Sequence, residues 1–151
     1  MSALSFRNVE ASPDDPVATW PYEALVETLE HGLVPDWQPV YAEIRSHPWG
    51  VVARRVTRWA RITSDEAAAA LFTAAIDRAR KRAEAGERAE IARRVRNAIE
   101  RSGLTSADFA ASIGTSASRL STYATGKVMP SAAILLRIER TSSNERSAPQ
   151  G

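Results

Sequence analysis

The chain has no cysteine, which excludes disulfides, thiolate metal centres and cysteine nucleophiles. It has two histidines, His31 and His47, and neither has a partner at metal-ligand spacing. His31 falls at an expected helix end and His47 precedes a proline, so both read as structural rather than as acid, base or ligand. The seven glycines form no phosphate-cradling loop. The serines cluster over residues 102–121, and no Ser/His/acid arrangement can be built from them. No apolar run approaches the roughly 18 residues of a membrane helix, and there is no signal-peptide pattern. These absences point away from an enzyme and away from membrane insertion. The expectation is a cytoplasmic protein with no metal and no cofactor.

Lysine is scarce as well: Lys81 and Lys127 stand against eighteen arginines. The overall charge is only +2, but its distribution is uneven. Residues 1–63 balance to −2, residues 64–86 to zero and residues 87–141 to +4. The positive excess therefore falls on one C-terminal segment, where it suits a polyanion.

From the N-terminus, residues 1–18 read as irregular. Pro13 and Pro16 bracket Asp14 and Asp15, which form a solvated turn rather than a metal pair, since no further ligands lie nearby. A helix is expected from Pro21 to His31, with Tyr22, Leu25, Val26 and Leu29 on one face and Gly32 at its end. Asp36 is the expected cap of a second helix, where Trp37, Val40, Tyr41 and Ile44 recur at helical spacing. Pro48 should stop it and open a third. There Trp49, Val52, Val56 and Trp59 form an apolar stripe, and Arg54, Arg58 and Arg61 a solvated one that could also serve as an auxiliary phosphate contact. Thr63 and Glu66 read as a capping box. The helix they open, through Ala67–Ala85, carries Leu71, Phe72, Ala75, Ile76 and Ala79 on its apolar side. Residues 80–90 read as a charged helical connector, with a boundary near Gly86. The four tryptophans, Trp20, Trp37, Trp49 and Trp59, suggest an aromatic core or an interface hot spot.

The most informative stretch runs from Ile91 to Thr141. Thr105 is a good N-cap, and Asp108 stands three residues on. Phe109, Ala110 and Ile113 form the buried side of the short helix that follows. Gly114 can supply the positive φ of a sharp helix exit. Ser116 caps the next helix, which buries Leu120 and Tyr123. Two short helices about a glycine turn make a helix-turn-helix. The order of residues around it resembles the lambda-repressor-like (XRE-type) DNA-binding family. Ile91, Arg96 and Ile99 match that family's first helix, and Ser102-Gly103-Leu104-Thr105 its entry to the second. Gly126-Lys127 and Pro130-Ser131 match the exit from its recognition helix, and Ile134, Leu135 and Ile138 the helix beyond. Ser106 departs from the glutamine common at the start of helix two.

The expected fold is all-α: an N-terminal helical region over residues 1–86, the helix-turn-helix domain over residues 87–141 and a disordered tail over residues 142–151. The resemblance implies double-stranded DNA as partner, bound by a homodimer. It places base readers at Ala117, Ser118 and Thr122, with Ser121 on the same outward side. Arg119 and Lys127 are expected to meet phosphates, as are the hydroxyls of Ser106 and Ser116 at helix starts. These side chains are short, so direct readout should be limited and shape should carry more of the specificity. The function so implied is a sequence-specific transcriptional regulator, a repressor. Two alternatives stay open: an antitoxin whose N-terminal region masks a toxin while the DNA-binding part represses the operon, and a regulator that senses a small ligand through a pocket among the tryptophans.

Overall fold

The computed structural model describes Phe6 and residues 10–147. Among the described residues the chain is all-helical, with seven α-helices and no strand. It divides into two compact units, Met1–Ala83 and Glu84–Gly151.

The N-terminal unit begins with the proline-bracketed turn, closed by the Asp15 N–H donating to the Ser12 carbonyl at 3.0 Å. A single 3-10 turn follows at Val17–Thr19. Helix α1 (Tyr22–His31) starts after Pro21 and ends at Gly32, as its sequence pattern requires. Helix α2 (Val34–Ser46) starts two residues before Asp36. Asp36 still serves this end, but from inside the first turn: its carboxylate accepts from the Leu33 N–H at 2.8 Å. Pro35, also in the first turn, has no N–H to leave unpaired. Helix α3 (Val51–Ile62) follows a tight turn in which the Gly50 N–H donates to the His47 carbonyl at 2.9 Å. Val52, Val56 and Trp59 are buried on it. Trp49 is not part of that stripe: it lies in the turn ahead of the helix and is 47% exposed. Arg54, Arg58 and Arg61 are exposed as expected, with the Arg58 guanidinium 4.9 Å above the Tyr22 ring.

Helix α4 runs unbroken from Glu66 to Ser102, through Gly86. Its cap is Asp65, whose carboxylate accepts from the Ala68 N–H at 3.0 Å. Thr63 acts one step earlier, accepting from the Asp65 N–H. The Thr63–Glu66 capping box therefore does not form, because Asp65 occupies the better N-cap position. Phe72 is the centre of the N-terminal core. It meets Trp37 and Trp59 edge-on, at centroid distances of 5.3 and 5.9 Å, and stacks on Tyr41 at 4.7 Å. Leu71 points outward instead, 53% exposed, since Phe72 and Ile76 take the inward positions. The buried indoles are satisfied: Trp20 donates to the Asp15 carbonyl, Trp37 to the Thr28 carbonyl and Trp59 to the Glu30 carboxylate.

In the C-terminal unit, the end of α4 is followed by α5 (Ser106–Ser112), α6 (Ala117–Ala124) and α7 (Ala132–Ser147). Val95, Ala98, Phe109, Ile113, Leu120 and Ile138 form its core. The polar change at Ser142 does not end the last helix, which continues through Ser147; Ser142 itself is buried. Residues 148–151 of the expected tail lie outside the described residues.

Candidate nucleic-acid interface

The geometry of this unit is set by local chemistry at each helix end. Ser102 closes α4: its hydroxyl donates to the Ile99 carbonyl and accepts from the Leu104 N–H. Gly103 then takes φ +69°. Thr105 caps α5, accepting from the Asp108 N–H at 3.1 Å. The exit from α5 forms two hydrogen bonds in series. The Gly114 N–H donates to the Ala111 carbonyl at 3.2 Å, and the Thr115 N–H to the Ala110 carbonyl at 3.0 Å. That pair is the Schellman arrangement, and it needs a left-handed residue at its centre. Gly114 provides it at φ +77°. Arg137, from α7, donates to the Ile113 carbonyl at the same corner.

Ser116 caps α6 by accepting from the Arg119 N–H at 3.1 Å. Leu120 and Tyr123 are buried beneath the helix, and Ser116, Ala117, Ser118, Arg119 and Ser121 are exposed. Thr122 is half-buried, and its hydroxyl donates to the Arg119 carbonyl at 2.6 Å. That oxygen keeps acceptor capacity but has committed its proton. The Ser116 oxygen accepts a backbone bond, so its own O–H remains free to donate outward. Ser106 and Lys127 are exposed at the start of α5 and in the turn after α6. Seven of the eight expected contact residues thus belong to α6 or its flanking turns, and Ser106 stands apart at the start of α5.

Three residues add to the sequence-based expectation: Thr125 and Arg88 were not foreseen, and Arg96 was matched without its target. Thr125 lies seven positions beyond Ser118 and four beyond Ser121, so it extends the same face of α6. Its hydroxyl donates to the Ser121 carbonyl at 3.0 Å. The helical period alone would have found it. The other two are arginines of α4 that hold the far end of α6. Arg96 donates to the Ala124 carbonyl at 2.7 Å. Arg88 donates to the Gly126 and Lys127 carbonyls at 3.2 and 3.3 Å. Carbonyls at a helix C-terminus carry unsatisfied negative character, which guanidinium groups offset. Arg96 was legible as a matched position, but its target was not. Arg88 gave no sequence signal, because its partners are far along the chain.

Chemically, this face can donate and accept single hydrogen bonds and make small apolar contacts. It has no carboxylate and no metal-ligating cluster. Among the described residues no three His, Asp or Glu side chains gather to hold a metal, and no helix is long and apolar enough to cross a membrane.

Comparison with known proteins agrees with this geometry. A family model described as a helix-turn-helix domain matches residues 90–141. No curated protein and no solved structure matches the chain. The match spans the end of α4, the two capped helices and the first part of α7, the elements whose caps and glycines were just described. The C-terminal part of this chain is a helix-turn-helix domain of the lambda-repressor (XRE) type, the module of a DNA-binding regulator.

Proposed function

We propose that the protein is a sequence-specific repressor that binds as a homodimer to an operator of two half-sites, placing α6 of each copy in the major groove. The reading rests on one observation above others: α6 buries Leu120 and Tyr123 and leaves Ala117, Ser118 and Ser121 exposed on a capped, well-held helix. In this reading Ala117, Ser118 and Thr122 face base edges. Arg119 and Lys127 meet phosphates, joined by the hydroxyls of Ser106 and Ser116, while Ser121 stands on the same outward side as the base readers. Half-sites of such modules stand about one helical turn apart, which requires two copies. The N-terminal unit, residues 1–86 in the expected division, is then the dimerisation or partner-binding region.

The antitoxin reading gains support from the surface of that unit. Leu33, Val34, Trp49 and Ile62 are all large apolar side chains left exposed there. A toxin or a second copy could cover them. Sedimentation of the purified chain separates the two: a dimer favours the first reading, and a monomer that binds operator tightly only with a co-expressed small protein favours the second.

The DNA contacts are tested by salt dependence and base selection. Arg119→Ala and Lys127→Ala should each lower the log–log salt slope by about one while weakening all operator variants alike. Ser118→Gln introduces a bidentate group and should shift one base preference per half-site toward adenine by about 1–3 kcal/mol. Unchanged slopes in the first pair, together with an unchanged base preference in the third variant, would remove α6 from the groove.

A further inference from the structure

Within the N-terminal unit, α2 and α4 enclose an open cleft of about 350 Å³. Its lining is part apolar and part cationic. Tyr41 of α2 stacks on Phe72, which sets that turn of α2 against the Leu71–Ala75 turn of α4. Arg45 follows Tyr41 by one helical turn, and Arg78 and Arg82 follow Ala75 by about one and two. All of them line the same cleft. The lining thus combines apolar side chains, Tyr41, Ile44, Leu71, Ala75 and Ala79, with three guanidiniums, and Gln38 stands at the early end of α2.

Arg45, Arg78 and Arg82 have no ion pair among the described residues. The one acidic residue of this stretch of α4, Asp77, is engaged with Lys81 at 3.0 Å, and Arg80 is turned away to the Pro48 carbonyl. Three guanidiniums that line one cleft without a counter-charge repel one another, and an anion bound in that cleft would relieve this. Burial raises the Tyr41 phenol above its ordinary value, against the opposing pull of Arg78, so its hydroxyl stays protonated and able to donate at neutral pH.

We propose that this cleft binds a small amphipathic anion. Its single charged head sits among Arg45, Arg78 and Arg82, and its compact apolar body lies on Leu71, Ala75 and the edge of Tyr41. The volume lies within the range of small-ligand sites, and the mix of an apolar wall with a few convergent polar groups is typical of them. A partner helix fits less well. It would need apolar anchors over two or more turns, and only Leu71 and Tyr41 offer large apolar surface here. Nucleic-acid phosphate would leave the apolar wall without a role. The site lies apart from the DNA-binding face and its test needs no DNA, so it stands or falls independently of the repressor reading.

The experiment is calorimetric titration of the full chain with decanoate and with naphthalene-2-acetate. The controls are the corresponding uncharged amides and inorganic phosphate. At least one amphipathic anion should bind with a Kd below about 1 mM, and its amide and phosphate about ten-fold or more weaker. The double variant Arg78→Gln, Arg82→Gln should raise that Kd about ten-fold or more, with an unchanged melting temperature, since both side chains are exposed. Leu71→Ser should weaken the amphiphiles as well. Several results overturn the proposal. These are failure of both anions to bind, equal binding of an anion and its amide, phosphate binding as tight as the amphiphiles, and indifference to the arginine variant. Dissociation of a wild-type dimer by the same arginine variant would also overturn it, by making the cleft an interface between copies.

Discussion

In the N-terminal unit Phe72 touches three other rings, and each buried indole N–H finds an acceptor. In the C-terminal unit no ring pair forms among the described residues. Its shape comes from short capped helices, from Gly103, Gly114 and Gly126 at positive φ, and from arginines bonded to helix-end carbonyls. One unit is centred on packed aromatic rings; the other closes a smaller aliphatic core with one buried phenylalanine between helices whose ends are fixed by local caps and by arginines from α4 and α7. The first kind of stability resides in ring volume and the second in backbone geometry, so the two units should respond to different substitutions.

The largest expected effect is in the aromatic cluster. Phe72 is fully buried, and Phe72→Ala should cost about 3–5 kcal/mol. All four tryptophans lie before Ala83, so indole emission reports the N-terminal unit alone. Denaturation followed by emission should shift strongly in this variant, while binding of the helix-turn-helix fragment to DNA should not enter the change. A variant that moves emission and far-UV circular dichroism together, over one shared transition, would mean that the two units do not behave separately and that the contrast fails.

Two glycines should respond to alanine with opposite signs. Gly114 sits at φ +77°, where an added Cβ is strained whatever the space around it. Gly114→Ala should destabilise the C-terminal unit by about 1–2 kcal/mol and weaken operator binding. Gly86 lies inside α4, and beyond its own helix backbone and chain neighbours nothing lies within 4 Å of where its Cβ would be. Gly86→Ala should stabilise by about 0.5–1 kcal/mol, because alanine loses less backbone entropy in a helix. Thermal melts of the two variants should move in opposite directions; equal signs would contradict the backbone assignment of one of them.

This contrast also explains what could be read from the sequence. Thr105, Gly114, Ser116 and Gly126 act on neighbours within a few positions, so their roles are written in local order, and the helix-turn-helix was legible down to its caps. The N-terminal unit was legible as helices but not in its details. The cap of α2 was expected at Asp36, which stands instead in the first turn after Leu33, and that of α4 at Thr63 rather than Asp65, because several acceptors near each helix start competed and only the assembled backbone selects among them. Leu71 and Phe72 are adjacent and both apolar, and the choice of which one turns inward depends on Trp37, Tyr41 and Trp59, elsewhere in the chain. Trp49 continued the apolar spacing of α3 but fell before the helix began. Arg88 and Arg96 reach carbonyls that no local pattern connects to them.

A smaller effect tests the cap chemistry on which the C-terminal unit depends. Ser116 satisfies one N–H at the start of α6. Ser116→Ala should cost about 1 kcal/mol and Ser116→Asp should restore most of that loss. The two should diverge on DNA, since Asp keeps the cap but sets a negative charge beside the phosphates proposed to lie there. Paired melting and binding curves separate the roles: an aspartate variant that folds and binds as the wild type does would place Ser116 away from the DNA backbone.

The smallest effect is expected at Tyr22, and it concerns the one place where the aromatic core departs from its own rule. The Tyr22 hydroxyl is buried and, among the described residues, has no hydrogen-bond partner. A buried unpaired hydroxyl has lost its water without replacement, whereas a phenyl ring of the same shape has none to lose. The ring itself is useful, since the Arg58 guanidinium sits 4.9 Å above it, and phenylalanine retains that contact. Tyr22→Phe should therefore leave stability unchanged or raise it by up to about 1 kcal/mol, whereas Tyr22→Leu, which loses the ring, should lower it. Denaturant melts read by tryptophan emission measure both. A clear loss of stability in the phenylalanine variant would mean that the hydroxyl has a partner in solution, and that every polar group of the aromatic core is satisfied.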